Sequence, residues 1–277
     1  MSYVQIRPLL ARHAAGETTA PLSLDLGLTE TAVSLTPAGL ALPDGAVVPW
    51  ADLEEIAGSE TACYRVAADG SVAKIQFFSA ALNRFYSLMP TSGAPTMLIS
   101  GFPMHRIKGT DPWRDTLSKI RAAAPLTGAV LDTTMGLGYT AIAAAETAAS
   151  VLTLELDPTV VEVCRANPWS QALFTHPRIT RRVADAAEAV AGLESGRFAR
   201  IIHDPPTFSL AGELYGAAFY RELHRVLAAR GRLFHYVGDP DSKSGRGVTR
   251  GVVRRLQEAG FRRVQPAPAA FGVVAFK

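Results

Sequence analysis

Val130-Leu-Asp132-Thr-Thr-Met-Gly136-Leu-Gly138-Tyr139-Thr140 is an apolar run ending on an acid, then a turn with glycines four and six residues later, then the start of a helical stretch. A buried strand, a tight turn and a helix in that order begin a βα unit, and the chain repeats the pattern as far as residue 260. Apolar runs at 129–132, 151–155, 179–183, 200–204 and 232–237 alternate with helical stretches near 139–149, 158–167, 185–194, 212–229 and 247–259. Such alternation predicts an α/β fold with a doubly wound parallel sheet, whose ligands sit at the carboxyl ends of the strands. Two final β segments, 262–265 and 271–276, have no helix between them and predict an antiparallel strand at the sheet edge.

Upstream the pattern is different. Short β segments at 22–26, 32–35, 47–50, 63–66, 72–78, 85–88 and 96–100, punctuated by Pro43-Asp-Gly45 and Ala68-Asp-Gly70, predict a small antiparallel sheet. Residues 111–124 read as a helix with Asp111 as N-cap and Pro112 at the first helical position. The expected organisation is a small β-rich domain over 1–108, a linker helix over 109–127 and a Rossmann-like domain over 128–277.

With 277 residues, 48% hydrophobic and 19% charged, the chain is neither disordered nor fibrous. Cys63 and Cys164 are far apart and share no metal-ligand spacing with the histidines, which fits a reducing compartment and no metal. Arg7 and Pro8 stand where a signal peptide has its apolar run, and Glu146 and Glu155 interrupt the apolar stretch 139–156, so a soluble cytoplasmic protein without membrane contact is expected. Residues 1–120 carry 9 basic and 11 acidic side chains, residues 121–277 carry 19 and 14, and 17 of those 19 are Arg. The guanidinium fork suits phosphate and points to a nucleic-acid partner; a coding bias toward Arg accounts for the excess equally well.

The first turn lacks the third glycine of a dinucleotide fingerprint and the Gly-Lys-Ser/Thr of a P-loop. Its carboxylate suits an amine better than a pyrophosphate, which makes Asp132, Thr134, Gly136, Gly138 and Tyr139 candidate ligand contacts; the plain alternative is a tight structural turn. Glu155, with Leu156 beside it, ends the second strand where an acid accepts ribose hydroxyls, and Asp157-Pro158 reads as the next helix start. Asp185, followed by Ala186, ends the third and is either a ligand contact or a helix N-cap with Glu188. The fourth strand delivers His203-Asp204-Pro205-Pro206-Thr207-Phe208. By the loop's resemblance to the signature of enzymes that methylate nitrogen in nucleic acids, Asp204 and the Pro205 carbonyl would accept hydrogen bonds from an exocyclic amine and Phe208 would stack on a flipped-out base, while Pro205 and Pro206 stiffen the loop. The alternative is a rigid loop with Phe208 in the core. His203 is assigned positioning, because an amine nucleophile needs little help from a base. Glu213, Tyr215, Tyr220, His235 and Tyr236 line a pocket or pack in the core, and Arg181, Arg182, Arg246, Arg250, Arg254, Arg255, Arg262 and Arg263 form a basic rim or a solvated surface.

These motifs resemble those of S-adenosylmethionine-dependent class I methyltransferases, which implies a seven-stranded doubly wound sheet closed by a hairpin. In that family the acid and Gly-x-Gly turn hold the amino-acid end of S-adenosyl-L-methionine, which carries over to Asp132, Gly136 and Gly138; Glu155 takes the ribose and Asp185 the adenine amino group. The Asp-Pro-Pro loop is similar to the signature of enzymes that methylate nitrogen in nucleic acids, except that Thr207 separates Pro206 from Phe208. The longer form, Asp-Pro-Pro-Thr-Phe-Ser, looks like that of several ribosomal RNA methyltransferases whose targets are not all exocyclic amines. Together with Asn167-Pro-Trp-Ser170, 203–215, Leu233-Phe-His-Tyr-Val-Gly238 and Ser100-Gly-Phe-Pro-Met-His105-Arg106, it looks like a family of predicted methyltransferases widespread in archaea and often labelled by similarity to spermidine synthase. The resemblance implies methylation of a base nitrogen such as cytidine N4 in RNA, ribosomal RNA above all, with the N-terminal sheet either selecting RNA or forming a homodimer. The rival is a polyamine aminopropyltransferase using decarboxylated S-adenosylmethionine. It needs several carboxylates, whereas 204–215 offers Asp204 and Glu213, and the Gly-Gly-Gly-Asp-Gly turn typical of spermidine synthases is replaced by Thr-Met-Gly-Leu-Gly at 134–138. A catalytically silent cofactor- or RNA-binding module is the third reading.

Overall fold

The computed structural model describes residues 1–208, 210–239 and 243–277, with backbone alone for 243–246; Ser209 of the fourth loop and the Arg246 side chain of the expected basic rim lie outside. The chain divides into two units, Met1–Trp113 with Thr159–Gln171, and Arg114–Pro158 with Ala172–Lys277.

The second unit is built on a seven-stranded sheet in the order Ile179–Val183, Ser150–Glu155, Ala129–Asp132, Phe198–His203, Leu227–Tyr236, Gly272–Phe276, Arg263–Ala267. The first five strands are parallel. Val130, Leu131, Ile201 and Ile202 are fully buried. Covered on both faces, such strands read as unbroken apolar runs and not as alternating ones. In helix Ala217–Val226 the residues Phe219, Tyr220, Leu223 and Val226 face inward, the spacing of one helical stripe. They join Ile201, Leu233, Val252 and Leu256 in one core.

The antiparallel strand does not lie at the edge as the sequence predicted. Gly272–Phe276 inserts between Leu227–Tyr236 and Arg263–Ala267, antiparallel to both. Burial decides the order of the hairpin arms. Gly272 to Ala275 are all buried, whereas Arg263–Ala267 is largely exposed and carries Pro266, which an edge strand tolerates and a central one does not. The order also puts Ala129–Asp132 between Ser150–Glu155 and Phe198–His203, so the chain winds away from it in opposite directions. Ligand crevices of doubly wound sheets open at that switch point, here beyond Asp132 and His203.

The first unit holds two four-stranded antiparallel sheets and a two-stranded ribbon, where one small sheet was expected. It also holds helices Tyr3–Ala14 and Trp50–Gly58, to which the sequence reading assigned no element apart from the β segment ending at Trp50. Ser2 and Gln5 form a capping box at the first, which tolerates Pro8 inside it, and Leu53 and Ile56 anchor the second. The segment expected as a strand at 22–26 is strand only through Leu22. Beyond it the Asp25 carboxylate accepts from Ser23, Thr29 and the Leu28 amide and closes a turn. The strand expected at 72–78 is broken at Ile75, whose amide donates to the Cys63 carbonyl. Helix Pro112–Ala123 forms as expected, with the Trp113 amide donating to Asp111. Among the described residues no helix is long and apolar enough to cross a membrane.

Candidate active site

Asp132 ends its strand fully buried, and its Oδ2 accepts from Thr140 Oγ1 at 3.1 Å and Thr153 Oγ1 at 2.8 Å. Oδ1 is buried and makes no hydrogen bond among the described residues, although the Thr134 amide lies near enough to ease the carboxyl's ionisation. Burial pushes the carboxyl up to about 7. An acceptor kept dry and unpaired at a strand tip is suited to a donor arriving with a ligand, above all a cationic one. Two glycines give the turn its path. Gly138, at φ +77°, begins helix Tyr139–Ala145 where a Cβ would stand 2.8 Å from Leu173 side-chain carbons. Gly136, at φ +51°, has open space where its Cβ would be, so backbone is bare on that side. Its amide donates to Glu155 Oε2 at 3.1 Å, while Oε1 accepts from the Asp157 amide at 3.1 Å. Burial raises the Glu155 pKa to about 7 against these hydrogen bonds.

Asp185 caps helix Ala186–Ala191: Oδ1 accepts from the Ala187 and Glu188 amides at 2.7 and 3.3 Å. Leu156 and Val183, each 51% exposed, offer apolar surface at the two neighbouring strand tips. Tyr139 and Ala186, expected among the ligand contacts, are buried, so only their backbone is available to a ligand.

The fourth loop is tied to the first. Thr134 Oγ1 donates to the Asp204 carbonyl at 2.9 Å, and Tyr215 Oη donates to the Pro206 carbonyl at 2.9 Å. Among the described residues no hydrogen bond reaches the Pro205 carbonyl between them. Phe208 is 58% exposed, its ring edge-on to Tyr215 at 5.6 Å, so it is not the core residue of the alternative reading. His203 is fully buried: Nε2 donates to the Leu214 carbonyl at 3.0 Å, which leaves Nδ1 to accept from Thr133 Oγ1 at 2.7 Å. Burial pulls its pKa down to about 3, so it is a neutral spacer and no base. His235, also buried, meets Tyr220 Oη at 2.8 Å through Nε2 and packs against the His203 ring at 4.3 Å; both belong to the core. Glu213 is exposed. Of the expected basic rim, Arg181 lies over Phe174, Arg263 over Phe276, and Arg255 donates to the Tyr215 carbonyl.

One participant was missed in the sequence. Lys119, on helix Pro112–Ala123, places Nζ 2.6 Å from Asp204 Oδ2 and 3.1 Å from Asp115 Oδ2, with its side chain 3% exposed. Burial disfavours the ammonium, but the two carboxylates outweigh it and raise the Lys119 pKa. Burial, opposed by Lys119 and aided by the like charge of Asp115, holds Asp204 above the ordinary carboxylate range. An Asp and a Lys four residues apart read as a solvated helix pair; only the packing of this helix makes them part of a site.

The sheet order and the strand-tip acids define a protein of the class I methyltransferase fold. The chain belongs to the family of the uncharacterized protein MJ1233 of Methanocaldococcus jannaschii, with 44% identity over 227 residues, 81% of this chain and 77% of that one. No family model matches the chain. Among solved structures it is similar to a spermidine synthase in complex with the transition-state analogue AdoDATO (17% identity, 80% of this chain and 83% of that one, TM-score 0.60). It is also similar to the spermidine synthase of Thermotoga maritima (16%, 81% and 83%, TM-score 0.57) and to MNMC2 of Aquifex aeolicus (19%, 69% and 70%, TM-score 0.52). At these identities the likeness is one of fold.

Proposed function

We propose that this protein transfers a methyl group from S-adenosyl-L-methionine to a base nitrogen of RNA, an exocyclic amine such as cytidine N4, with ribosomal RNA as the substrate. The observation that carries the reading is the fourth loop. Asp204 keeps Oδ1 outside its ion pair, the Pro205 carbonyl has no partner among the described residues, and an exposed Phe208 stands beside them. Two acceptors and a ring are what an extruded base with an NH₂ group requires.

The residues present fit the cofactor. The unpaired Oδ1 of Asp132 would take its ammonium, the Glu155 carboxylate its ribose hydroxyls, and the bare backbone at Gly136 allows close approach. When bound, S-adenosyl-L-methionine supplies an electrophilic methyl. The chain's own residues orient the acceptor: Asp204 and Pro205 accept from the amine, Phe208 stacks, and Thr134 fixes the Asp204 backbone against the first loop. His203 stays neutral and sets the strand tip.

The test is incubation with methyl-labelled S-adenosyl-L-methionine and total RNA from a strain lacking the gene, followed by nucleoside mass spectrometry. A labelled base that vanishes with Asp204→Ala supports the reading. Unlabelled RNA, with polyamines extended when the decarboxylated cofactor is supplied, overturns it.

A further inference from the structure

The Lys119 ammonium has Asp204 Oδ2 at 2.6 Å, Asp115 Oδ2 at 3.1 Å and the centre of the Tyr236 ring at 4.5 Å. Two carboxylates and an aromatic face around a primary ammonium are the means by which proteins hold an aliphatic amine. Here the amine belongs to the chain itself. Asp115 is fully buried and four residues before Lys119, so the helix delivers both the ammonium and its second carboxylate to the tip of Phe198–His203. Burying such a pair sacrifices the hydration of every ion in it, and apolar residues of the same volume pack at least as stably. Packing alone therefore does not account for it.

We propose that Lys119 is a positioning and specificity-determining residue: it fills the place an aliphatic ammonium substrate would take and pins Asp204 Oδ2, so that the site admits a neutral nucleophile and refuses a polyamine. This deepens the proposed function and rests on it for the identity of the nucleophile. With Oδ2 held, Oδ1 is the oxygen of Asp204 left to receive a donor, which fixes the direction from which an NH₂ group is read. The two chemistries considered from the sequence are thus separated by one side chain.

The experiment uses the full chain and calorimetric titration with spermidine and with propylammonium chloride. The wild type is expected to show no saturable binding of either at millimolar concentration. Lys119→Ala is expected to bind propylammonium, and Lys119→Ala with Asp115→Asn to lose that binding. Spermidine binding by the wild type that disappears in Asp204→Asn overturns the proposal, and this arm needs no Lys119 variant to fold. A Lys119→Ala protein with a cooperative melting transition but no propylammonium binding overturns it as well. In the RNA assay, Lys119→Ala is expected to slow methyl transfer about a hundredfold and to recover with added propylammonium. A loss without recovery marks Lys119 as structural only and overturns the proposal. If the wild type labels no RNA, the function proposed above fails, and the titrations still decide whether Lys119 occupies a cation site.

Discussion

Lowering the pH from about 8 to about 6 should weaken the binding of S-adenosylhomocysteine roughly tenfold, and the reason lies in Asp132. Burial raises its pKa to about 7 in the free protein, with Oδ1 left unpaired. The carboxyl is then ionised in about 90% of molecules at pH 8, about half at pH 7 and about 10% at pH 6. The ligand's ammonium keeps its charge across this window and favours the ionised form, so binding below pH 7 must expel a proton. Affinity is lost as pH falls through 7 and is flat above it. Glu155, also raised to about 7, adds a second factor of up to about ten if the ribose hydroxyls demand its charge; Glu155→Gln separates the two. Calorimetry at pH 6.5 in two buffers of different ionisation enthalpy counts the protons released. Asp132→Asn should bind about 10- to 100-fold more weakly at pH 8, the loss of a charge-assisted hydrogen bond, and in combination with Glu155→Gln show no slope. A constant Kd between pH 6 and 8, or proton uptake on binding, refutes the assignment of Asp132.

Three further outcomes follow from the geometry. Asp132→Asn keeps an acceptor for Thr140 and Thr153 and removes a carboxyl whose pKa rises from 3.8 to about 7 on folding. A raised acid holds its proton more tightly when folded, so the wild type loses stability between those values as pH rises. The variant should therefore melt higher, by a margin that grows from pH 5 to pH 8 to at most about 4 kcal/mol; a margin independent of pH contradicts this. Gly138→Ala should cost about 2–4 kcal/mol, because positive φ combines with a Cβ 2.8 Å from Leu173, while Gly136→Ala, with open space, should cost about 1 kcal/mol in chemical denaturation; equal costs would refute the steric account. Phe208→Ala should leave stability within about 0.5 kcal/mol and raise KM for RNA by the roughly 1–3 kcal/mol of one stacked base, and an unchanged KM removes Phe208 from the site.

The parallel sheet was legible because its central strands are buried on both faces and read as short apolar runs that alternate regularly with helical stretches. The order of the last two strands was not, since a hairpin in sequence does not say which arm joins the sheet; the polar content of Arg263–Ala267 and its Pro266 held that information. The helix Tyr3–Ala14 was obscured by Pro8, although the Ser2 and Gln5 cap was present to be read. Of the candidate site, Asp132, Gly136, Gly138, Glu155 and Asp204 were legible as candidates because each ends or follows a strand, where a polar residue or glycine breaks an apolar run. Lys119 and Asp115 were invisible for the opposite reason: on an amphipathic helix a charge pair looks solvated, and only tertiary packing buries it against Tyr236.

The charges at the strand tips form two subsites of opposite preference. Asp204 and Asp132 raise each other's cost of ionisation, and Asp115 adds to that of Asp204, so the sheet's carboxyl end carries more buried negative charge than packing favours. At Asp132 hydrogen bonds from Thr140 and Thr153 offset it only in part: the two hydroxyls on Oδ2 are neutral and Oδ1 has no hydrogen-bond partner among the described residues, so that position favours a cation. At Asp204 the offset is already present in Lys119, so that position has no need of one. On the proposed function, this asymmetry suits a transfer between a cofactor bearing an ammonium and a neutral base. Aminopropyl transfer to a polyamine would bind a cation at the second position as well, whose attacking nitrogen must lose its proton before it reacts. On the proposed reading, the choice between the two chemistries lies in whether the chain brings its own ammonium to Asp204, and a helix outside the expected catalytic domain carries Lys119 to it.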